Sequence, residues 1–167
     1  MTLYILRHGA AEKDPPAGGD DGARRLTARG REKVREAAAA MRALGLKFGA
    51  ILTSPLPRAA ETAELVVAAY PGVPACEALS ALAPGISPAE TVAALRSYER
   101  HDHLMIVGHE PGLSGVASLL LTGSANSVAF DLKKAGMIAL ALSDGIERGG
   151  GQLLWMLTSR QLRRLRK

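Results

Sequence analysis

Three short apolar runs constrain the fold most strongly, because each is followed at once by a turn and a helical pattern. Residues 2–6, 50–53 and 103–107 have the length and composition of strands buried in a parallel sheet. Helical patterns follow them over 27–44, 56–70 and 112–121. Three repeated strand–turn–helix units predict an α/β fold: a three-layer sandwich, with helices on both faces of a mostly parallel central sheet.

The remaining elements are predicted from turn residues and caps. Ser87 and Glu90 have the spacing of a capping box, which predicts a helix over 88–100, and a short strand is expected near 74–77. From residue 127 onward the pattern predicts strands over 127–132, 137–142 and 152–157, the last two joined as a hairpin. The stretch 10–25 is rich in Pro, Gly and Asp and is expected to be a long loop. We expect residues 1–167 to form a single domain.

The composition predicts the cellular location of the protein and argues against disulfide bonds and thiolate metal sites. The one cysteine, Cys76, allows no internal disulfide and is too little for a thiolate metal site, so a reducing, cytoplasmic location is expected. Arg7 interrupts the first apolar run too early for a signal peptide or a membrane span, so no membrane partner is expected.

The formal net charge is +5, and the last eight residues contribute five cations without an acid: Arg160, Arg163, Arg164, Arg166 and Lys167. No aromatic residue interleaves them and no recognition motif accompanies them, so nucleic acid is an unlikely partner. A solvated helix is the favoured interpretation. Recognition of an acidic partner by this tail stays open.

The ends of the three predicted strands carry the chemistry. Arg7 and His8 follow the first strand, Arg58 lies just inside the helix after the second, and His109 follows the third. Ligands of open parallel sheets bind at the carboxyl ends of the strands, so these side chains are expected to form a cationic cup suited to a phosphoryl group. Each residue taken alone has an ordinary structural interpretation, and only their convergence at one edge of the sheet indicates a site.

A divalent metal would need several carboxylates at the same strand ends, whereas the three turns offer mainly cations. The sequence therefore predicts a metal-independent site without a cofactor.

The order of the motifs resembles that of the histidine phosphatase superfamily, with its phosphoglycerate mutase-like fold, and most of all its short SixA-type phosphohistidine phosphatases. The resemblance rests on Leu-Arg-His-Gly at 6–9, Arg-Leu-Thr at 25–27 with Gly30, Thr-Ser-Pro-Leu at 53–56 with Arg58, Glu-Thr-Ala at 61–63, and Val-Gly-His-Glu-Pro at 107–111. It spans most of the chain.

The resemblance implies roles for the matching residues. His8 would attack phosphorus and form a covalent phosphohistidine intermediate, while its other ring nitrogen donates to a backbone carbonyl. Arg7, Arg58 and His109 would hold the phosphoryl oxygens. A protonated His109 would be the most pH-sensitive part of this clamp.

Larger members of the superfamily usually carry a glutamate that protonates the leaving oxygen, and no acid stands at the corresponding place here, although Glu12 or Glu110 could supply one. An imidazole leaves with less help than an alkoxide, so this absence favours phosphohistidine on a protein, such as a phosphorelay or phosphocarrier protein. The alternatives are a phosphatase of small phosphate esters and a catalytically silent module that binds phosphoproteins.

Overall fold

The computed structural model describes residues 1–165 and contains a central sheet with helices on both faces. The strands of this part of the chain form one six-stranded sheet in the order β3-β2-β4-β1-β5-β6. Their bounds are β1 Thr2–Arg7, β2 Ala50–Thr53, β3 Glu77–Ala78, β4 His103–Gly108, β5 Met137–Leu142 and β6 Gly151–Leu157. β1 to β4 are mutually parallel, and β5 and β6 add an antiparallel hairpin.

The register of the parallel strands aligns the ends that carry the chemistry. Arg7 of β1 lies opposite Gly108 of β4, and Thr53 of β2 lies opposite Val107. The pairing continues one residue further, since the backbone N–H of His8 donates to the Gly108 carbonyl at 3.1 Å. The residues that follow these strands therefore meet at one edge of the sheet.

Five helices of the described chain cover the two faces of the sheet: α1 Ala28–Ala43, α2 Pro57–Val67, α3 Pro88–Leu95, α4 Gly112–Thr122 and α5 Ser159–Arg164. The Thr27 hydroxyl caps α1 by accepting from the Gly30 N–H, and Ser87 with Glu90 forms the predicted capping box of α3. Pro57 occupies the first turn of α2, where its missing N–H costs little.

Alternation along β1 separates two hydrophobic cores. Leu3 and Ile5 point into the core beneath α3 and α4, whereas Tyr4 and Leu6 point into the core beneath α1, α2 and α5. The second core is rich in alanine, including Ala37 and Ala63 from the facing helices, which lets α1 and α2 pack closely. The predicted three-layer α/β sandwich is confirmed.

The strand predicted over 127–132 is wrong: residues 127–132 form no strand. β1 already pairs with β4 on one side and with β5 on the other, and residues 127–132 instead pack along α4. There the Ser118 hydroxyl accepts from the Val128 N–H at 3.1 Å, and Ser114 donates to the Phe130 carbonyl at 3.5 Å. Serine hydroxyls of α4 thus form hydrogen bonds with backbone groups that would pair with a neighbouring strand if this segment lay in a sheet.

Two further predicted elements differ in extent. β3 consists of Glu77 and Ala78, beyond most of the predicted range 74–77. α3 ends at Leu95 and continues only as a 3-10 turn over Arg96–Tyr98, short of the predicted residue 100.

The basic tail begins as a short amphipathic helix. Leu162 of α5 is fully buried in the second core, while Arg160 and Arg164 are exposed. Arg166 and Lys167 lie outside the described residues. Among residues 1–165, no helix is long and apolar enough to cross a membrane.

Candidate active site

A cleft of about 670 Å³ lies at the carboxyl edge of the sheet and brings all four predicted site residues together. Arg7 ends β1, His8 follows it, Arg58 lies in the first turn of α2, and His109 follows β4. The other lining residues are Asp21, Gly22, Arg24, Leu56, Ala83, Pro84, Glu110 and Lys134. The convergence expected from the strand ends is therefore present.

His8 is held in one orientation by the backbone. Its Nδ1 lies 2.7 Å from the Gly9 carbonyl oxygen. Because a carbonyl only accepts, Nδ1 carries the proton and Nε2 keeps a free lone pair. The imidazole is 7% exposed. This is the neutral tautomer expected for a nucleophilic histidine.

A buried threonine ties the His8 turn to α2. The Gly9 N–H donates to Thr62 Oγ1 at 3.1 Å, and the Thr62 hydroxyl donates to the Arg58 carbonyl at 2.7 Å. The hydroxyl therefore links the turn after β1 to the first turn of the helix that carries Arg58. A shift of either element would break one of these bonds.

Backbone carbonyls hold the two arginines. Arg7 Nη1 donates to the Leu132 carbonyl at 2.8 Å, and Arg58 Nη1 donates to the Asp21 carbonyl at 3.0 Å. The Asp21 carboxylate also lies 3.7 Å from Arg58 Nη2. The predicted loop over 10–25 thus contributes to the cleft through Asp21.

His109 lies beside His8 and is positioned by Ser54. The two imidazole centres are 5.0 Å apart, and His109 Nε2 lies 2.8 Å from Ser54 Oγ. Ser54 follows β2 and is fully buried. The Ser54 oxygen also accepts from the Leu56 N–H, so its own proton is available for His109 Nε2.

Among Arg7, His8, Arg58 and His109, three buried nitrogen atoms have no hydrogen-bond partner in residues 1–165. They are Arg7 Nε, Arg58 Nε and His109 Nδ1. Such groups are costly to bury unpaired, and they belong to three residues that line one cleft. Guanidinium nitrogens only donate, and His109 Nδ1 is a donor when Ser54 donates to Nε2. The cleft is therefore suited to an anion with several acceptor oxygens.

Both imidazoles are neutral at pH 7. Burial lowers the pKa of His8 to about 4, with further lowering from the charges of Arg58, Arg7 and Lys134, against the Gly9 hydrogen bond, which raises it. Burial lowers the pKa of His109 to about 3, assisted by His8, Arg58 and Arg7. A protonated His109 therefore remains a prediction for the site with a phosphoryl anion bound, because burial and the neighbouring cations oppose the charge when no anion is present.

The two candidate acids differ in position. Glu110 is half-buried and lines the cleft, and its carboxylate accepts from the Ser114 hydroxyl at 2.8 Å. Glu12 is exposed and does not line the cleft. Of these two candidates, only Glu110 lines the cleft.

Four residues of this site have no role predicted from the sequence: Asp21, Ser54, Thr62 and Lys134. Ser54 and Thr62 do lie in motifs on which the family resemblance rests. Ser54 directly follows a predicted buried strand, which was a usable signal. Lys134 lies in the segment that was predicted to connect two strands, and nothing local to it indicated that it reaches the cleft.

A second recess of about 570 Å³ adjoins the cleft and shares Ala83, Pro84, His109 and Glu110 with it. Its other walls are mainly apolar and come from residues 81–88, from α4 and from residues 125–130. It offers space for an apolar group next to the phosphoryl position. Within residues 1–165, no three His, Cys, Asp or Glu side chains cluster as metal ligands would.

Comparisons with known proteins agree with this geometry. The sequence profile of the histidine phosphatase superfamily, branch 1, matches residues 3–82, which include Arg7, His8 and Arg58. The chain belongs to the histidine phosphatase superfamily. An uncharacterized protein of Picosynechococcus sp. is 39% identical over 142 residues, which are 84% of each chain.

Solved structures of several phosphatases share the whole fold. The protein histidine phosphatase SixA, complexed with tungstate, superposes with a TM-score of 0.83 at 24% identity, covering 97% of this chain and 99% of that one. The α-ribazole phosphatase of Shigella flexneri gives 0.76 at 18%, with coverages of 95% and 97%. A phosphoserine phosphatase of Entamoeba histolytica in complex with 3-phosphoglyceric acid gives 0.68 at 16%, with coverages of 96% and 98%.

Proposed function

We propose that this protein is a phosphatase that uses His8 Nε2 as a covalent nucleophile and acts on phosphohistidine in proteins. The observation that carries the proposal is the pairing of an oriented, neutral His8 with partnerless nitrogens of Arg7, Arg58 and His109 in one cleft. Membership of the superfamily supports the phosphatase chemistry. The cytoplasmic location remains a prediction.

The reaction would proceed in two displacements. His8 Nε2 attacks phosphorus, the new N–P bond forms, and the bond to the leaving group breaks with its electron pair on that group. Water then attacks the phosphohistidine, which releases inorganic phosphate and returns the lone pair to Nε2. The Gly9 carbonyl stabilises the His8 ring when it carries positive charge, because it accepts from Nδ1 throughout.

The residues that would hold the phosphoryl oxygens include two, Arg7 and Arg58, whose positive charges are present before the substrate binds. The guanidinium groups of Arg7 and Arg58 are anchored by backbone carbonyls, so little reorganisation is needed when the phosphoryl group arrives. An anionic phosphoryl group raises the pKa of His109, because its negative charge favours the imidazolium and offsets the neighbouring cations. His109 would then gain a proton as substrate binds.

The choice of phosphohistidine rests on the acids of the cleft. Two acids line it, and both carboxylates are already engaged: Glu110 accepts from Ser114, and Asp21 pairs with Arg24 at 2.8 Å. The hydrogen bond from Arg24 also lowers the pKa of Asp21, which makes it a poor proton donor. An imidazole leaving group needs less protonation than an alkoxide, so the site is better equipped for a phosphoramidate. The likeness to SixA supports the same choice.

A phosphatase of small organic esters is the second candidate. The apolar recess beside His109 favours it, because an organic leaving group could fill that space. The likenesses to an α-ribazole phosphatase and a phosphoserine phosphatase are consistent with this alternative.

The deciding experiment compares the purified wild type with His8→Ala and with His101→Ala, a control histidine at the opposite end of β4. Each protein is incubated in excess EDTA with a phosphohistidine carrier protein and with an aryl phosphate. We expect carrier turnover that survives EDTA, is lost in His8→Ala by about a thousandfold or more, and persists in His101→Ala.

Each other outcome has a defined meaning. Turnover of the aryl ester alone would keep His8 as nucleophile and replace the substrate class. Activity of His8→Ala equal to that of wild type would refute the mechanism. Turnover of neither substrate would favour the silent binding module.

A further inference from the structure

A second cationic pocket of about 700 Å³ lies next to the cleft and takes no part in the proposed chemistry. We call it the basic pocket. Three separate elements supply its cations: α1, the segment before β5, and α5. The cations are Lys33, Lys133, Lys134, Arg160, Arg163 and Arg164.

The basic pocket joins the cleft through one residue. Lys134 lines both, and Ala10, two residues after His8, lines the basic pocket. An occupant of the basic pocket would therefore lie beside a phosphoryl group bound at His8. A molecule long enough to span both could bind them together.

The charges in the pocket are only partly compensated. Lys133 pairs with Asp131 at 2.6 Å and Arg163 with Glu36 at 2.7 Å. No salt bridge within 4.0 Å joins the other four cations to an acid of residues 1–165. Like charges gathered in one concavity repel one another, and a bound anion would relieve that repulsion.

A buried hydroxyl without a hydrogen-bond partner also indicates that the basic pocket binds a ligand. Ser159 lines the basic pocket, is 8% exposed, and its Oγ has no hydrogen-bond partner in the described chain. A hydroxyl held away from water without a partner is costly. A carboxylate bound in the pocket would offer this hydroxyl an acceptor.

We propose that the basic pocket binds a carboxylate-rich segment of the phosphorylated protein whose phosphohistidine enters the cleft. The inference rests on the proposed function and names a feature of the substrate surface. Arginine pairs well with carboxylates, and a small ester would fill the cleft without reaching this pocket. The lining includes no aromatic side chain on which a nucleic acid base could stack, so an acidic protein fits better than a nucleic acid.

The test reverses two exposed charges on one face of α5, in Arg160→Glu/Arg164→Glu. The control is Lys47→Glu/Arg100→Glu, which makes the same change in net charge just before β2 and β4, at the opposite edge of the sheet. Both are assayed with a phosphohistidine carrier that has an acidic face and with an aryl phosphate. We expect kcat/KM for the carrier to fall about tenfold or more in the first variant, mostly through KM. Aryl phosphate turnover should stay within about twofold in both.

A binding measurement separates this proposal from the proposed function. Fluorescein-labelled hexaglutamate is titrated into each full-length protein with tungstate saturating the cleft, and anisotropy is followed. Wild type and control variant should bind, increasingly weakly with added salt, and the α5 variant should lose at least about tenfold in affinity. This result stands even if no phosphohistidine carrier is turned over.

Three outcomes would overturn the proposal. One is equal hexaglutamate affinity in the two variants. Another is unchanged carrier kcat/KM in the α5 variant. The third is tighter binding of an oligonucleotide of the same charge than of hexaglutamate, because this would make nucleic acid the better occupant.

Discussion

The two buried imidazoles set the response of the fold to acid. In the unfolded chain a histidine titrates near 6.5, whereas burial and neighbouring cations lower the pKa of His8 to about 4 and that of His109 to about 3. Between those values and 6.5 the unfolded state binds more protons than the folded state, so stability falls as the pH falls. The stability that the neutral imidazoles contribute is complete above about pH 6.5.

We therefore expect the free energy of unfolding to fall between pH 6.5 and pH 4.5 by a slope approaching about 1.4 kcal/mol per pH unit for each imidazole. Urea titrations in buffers without phosphate or other oxyanions measure the slope. The double variant His8→Asn/His109→Asn should lose most of it. An unchanged slope in that variant would show that other groups cause the acid sensitivity.

Ser54 is a positioning residue whose effect can be measured apart from stability. Ser54→Ala removes the 2.8 Å contact with His109 Nε2, so the ring loses its orientation. We expect kcat/KM for an aryl phosphate to fall about 5- to 100-fold, equivalent to about 1–3 kcal/mol. Ser118→Ala removes another fully buried hydroxyl, on α4, which lines neither the cleft nor the recess. It should lower stability and leave kcat/KM unchanged; equal losses would mean that Ser54 acts only on the fold.

At the scale of elements, α1 is packed against the segment that follows His8. A Cβ at Gly30 would lie 2.1 Å from the Ala10 carbonyl oxygen, too close for any side chain. A Cβ at Gly112, near the start of α4, would meet nothing within 4 Å. Two glycines in the first turns of two helices thus have opposite environments.

Alanine substitutions at Gly30 and Gly112 should separate the effect of close packing on stability from the effect of helix propensity. Gly30→Ala should destabilise the protein by about 1–3 kcal/mol and lower kcat, because the backbone after His8 must move. Gly112→Ala should be neutral or stabilise by up to about 1 kcal/mol, because alanine favours a helix. Urea unfolding and aryl phosphate turnover give both values. Similar stabilities of the two variants would show that the approach of α1 to residue 10 adapts at no cost.

Elements with a local sequence pattern could be predicted, whereas features that depend on contacts between distant segments could not. β1, β2 and β4 with the helices that follow them were predictable, because an apolar run, a turn and a helical period are all local. The strand predicted over 127–132 failed, since its alternation is real but the side chains of α4 capture its backbone. Lys134 and Asp21 reach the cleft only through tertiary folding, so no local pattern could identify them.

For the whole molecule, ligand binding and folding are linked through the cleft. An oxyanion that binds the folded protein and not the unfolded chain stabilises it by RT ln(1 + [L]/Kd), or about 2.7 kcal/mol at a hundredfold excess over Kd. The partnerless nitrogens of Arg7, Arg58 and His109 make tungstate a suitable probe.

We expect Tm to rise by several degrees with increasing tungstate at constant ionic strength, and sodium chloride to give no comparable rise. Arg58→Gln should abolish the rise, because the lost guanidinium contributes charge as well as a donor to the cleft. Arg160→Glu/Arg164→Glu should retain the rise, since those side chains line the basic pocket and not the cleft. A rise that survives Arg58→Gln but disappears in the α5 variant would move the principal oxyanion site from the end of β1 to the basic pocket, and the proposed mechanism would lose its structural basis.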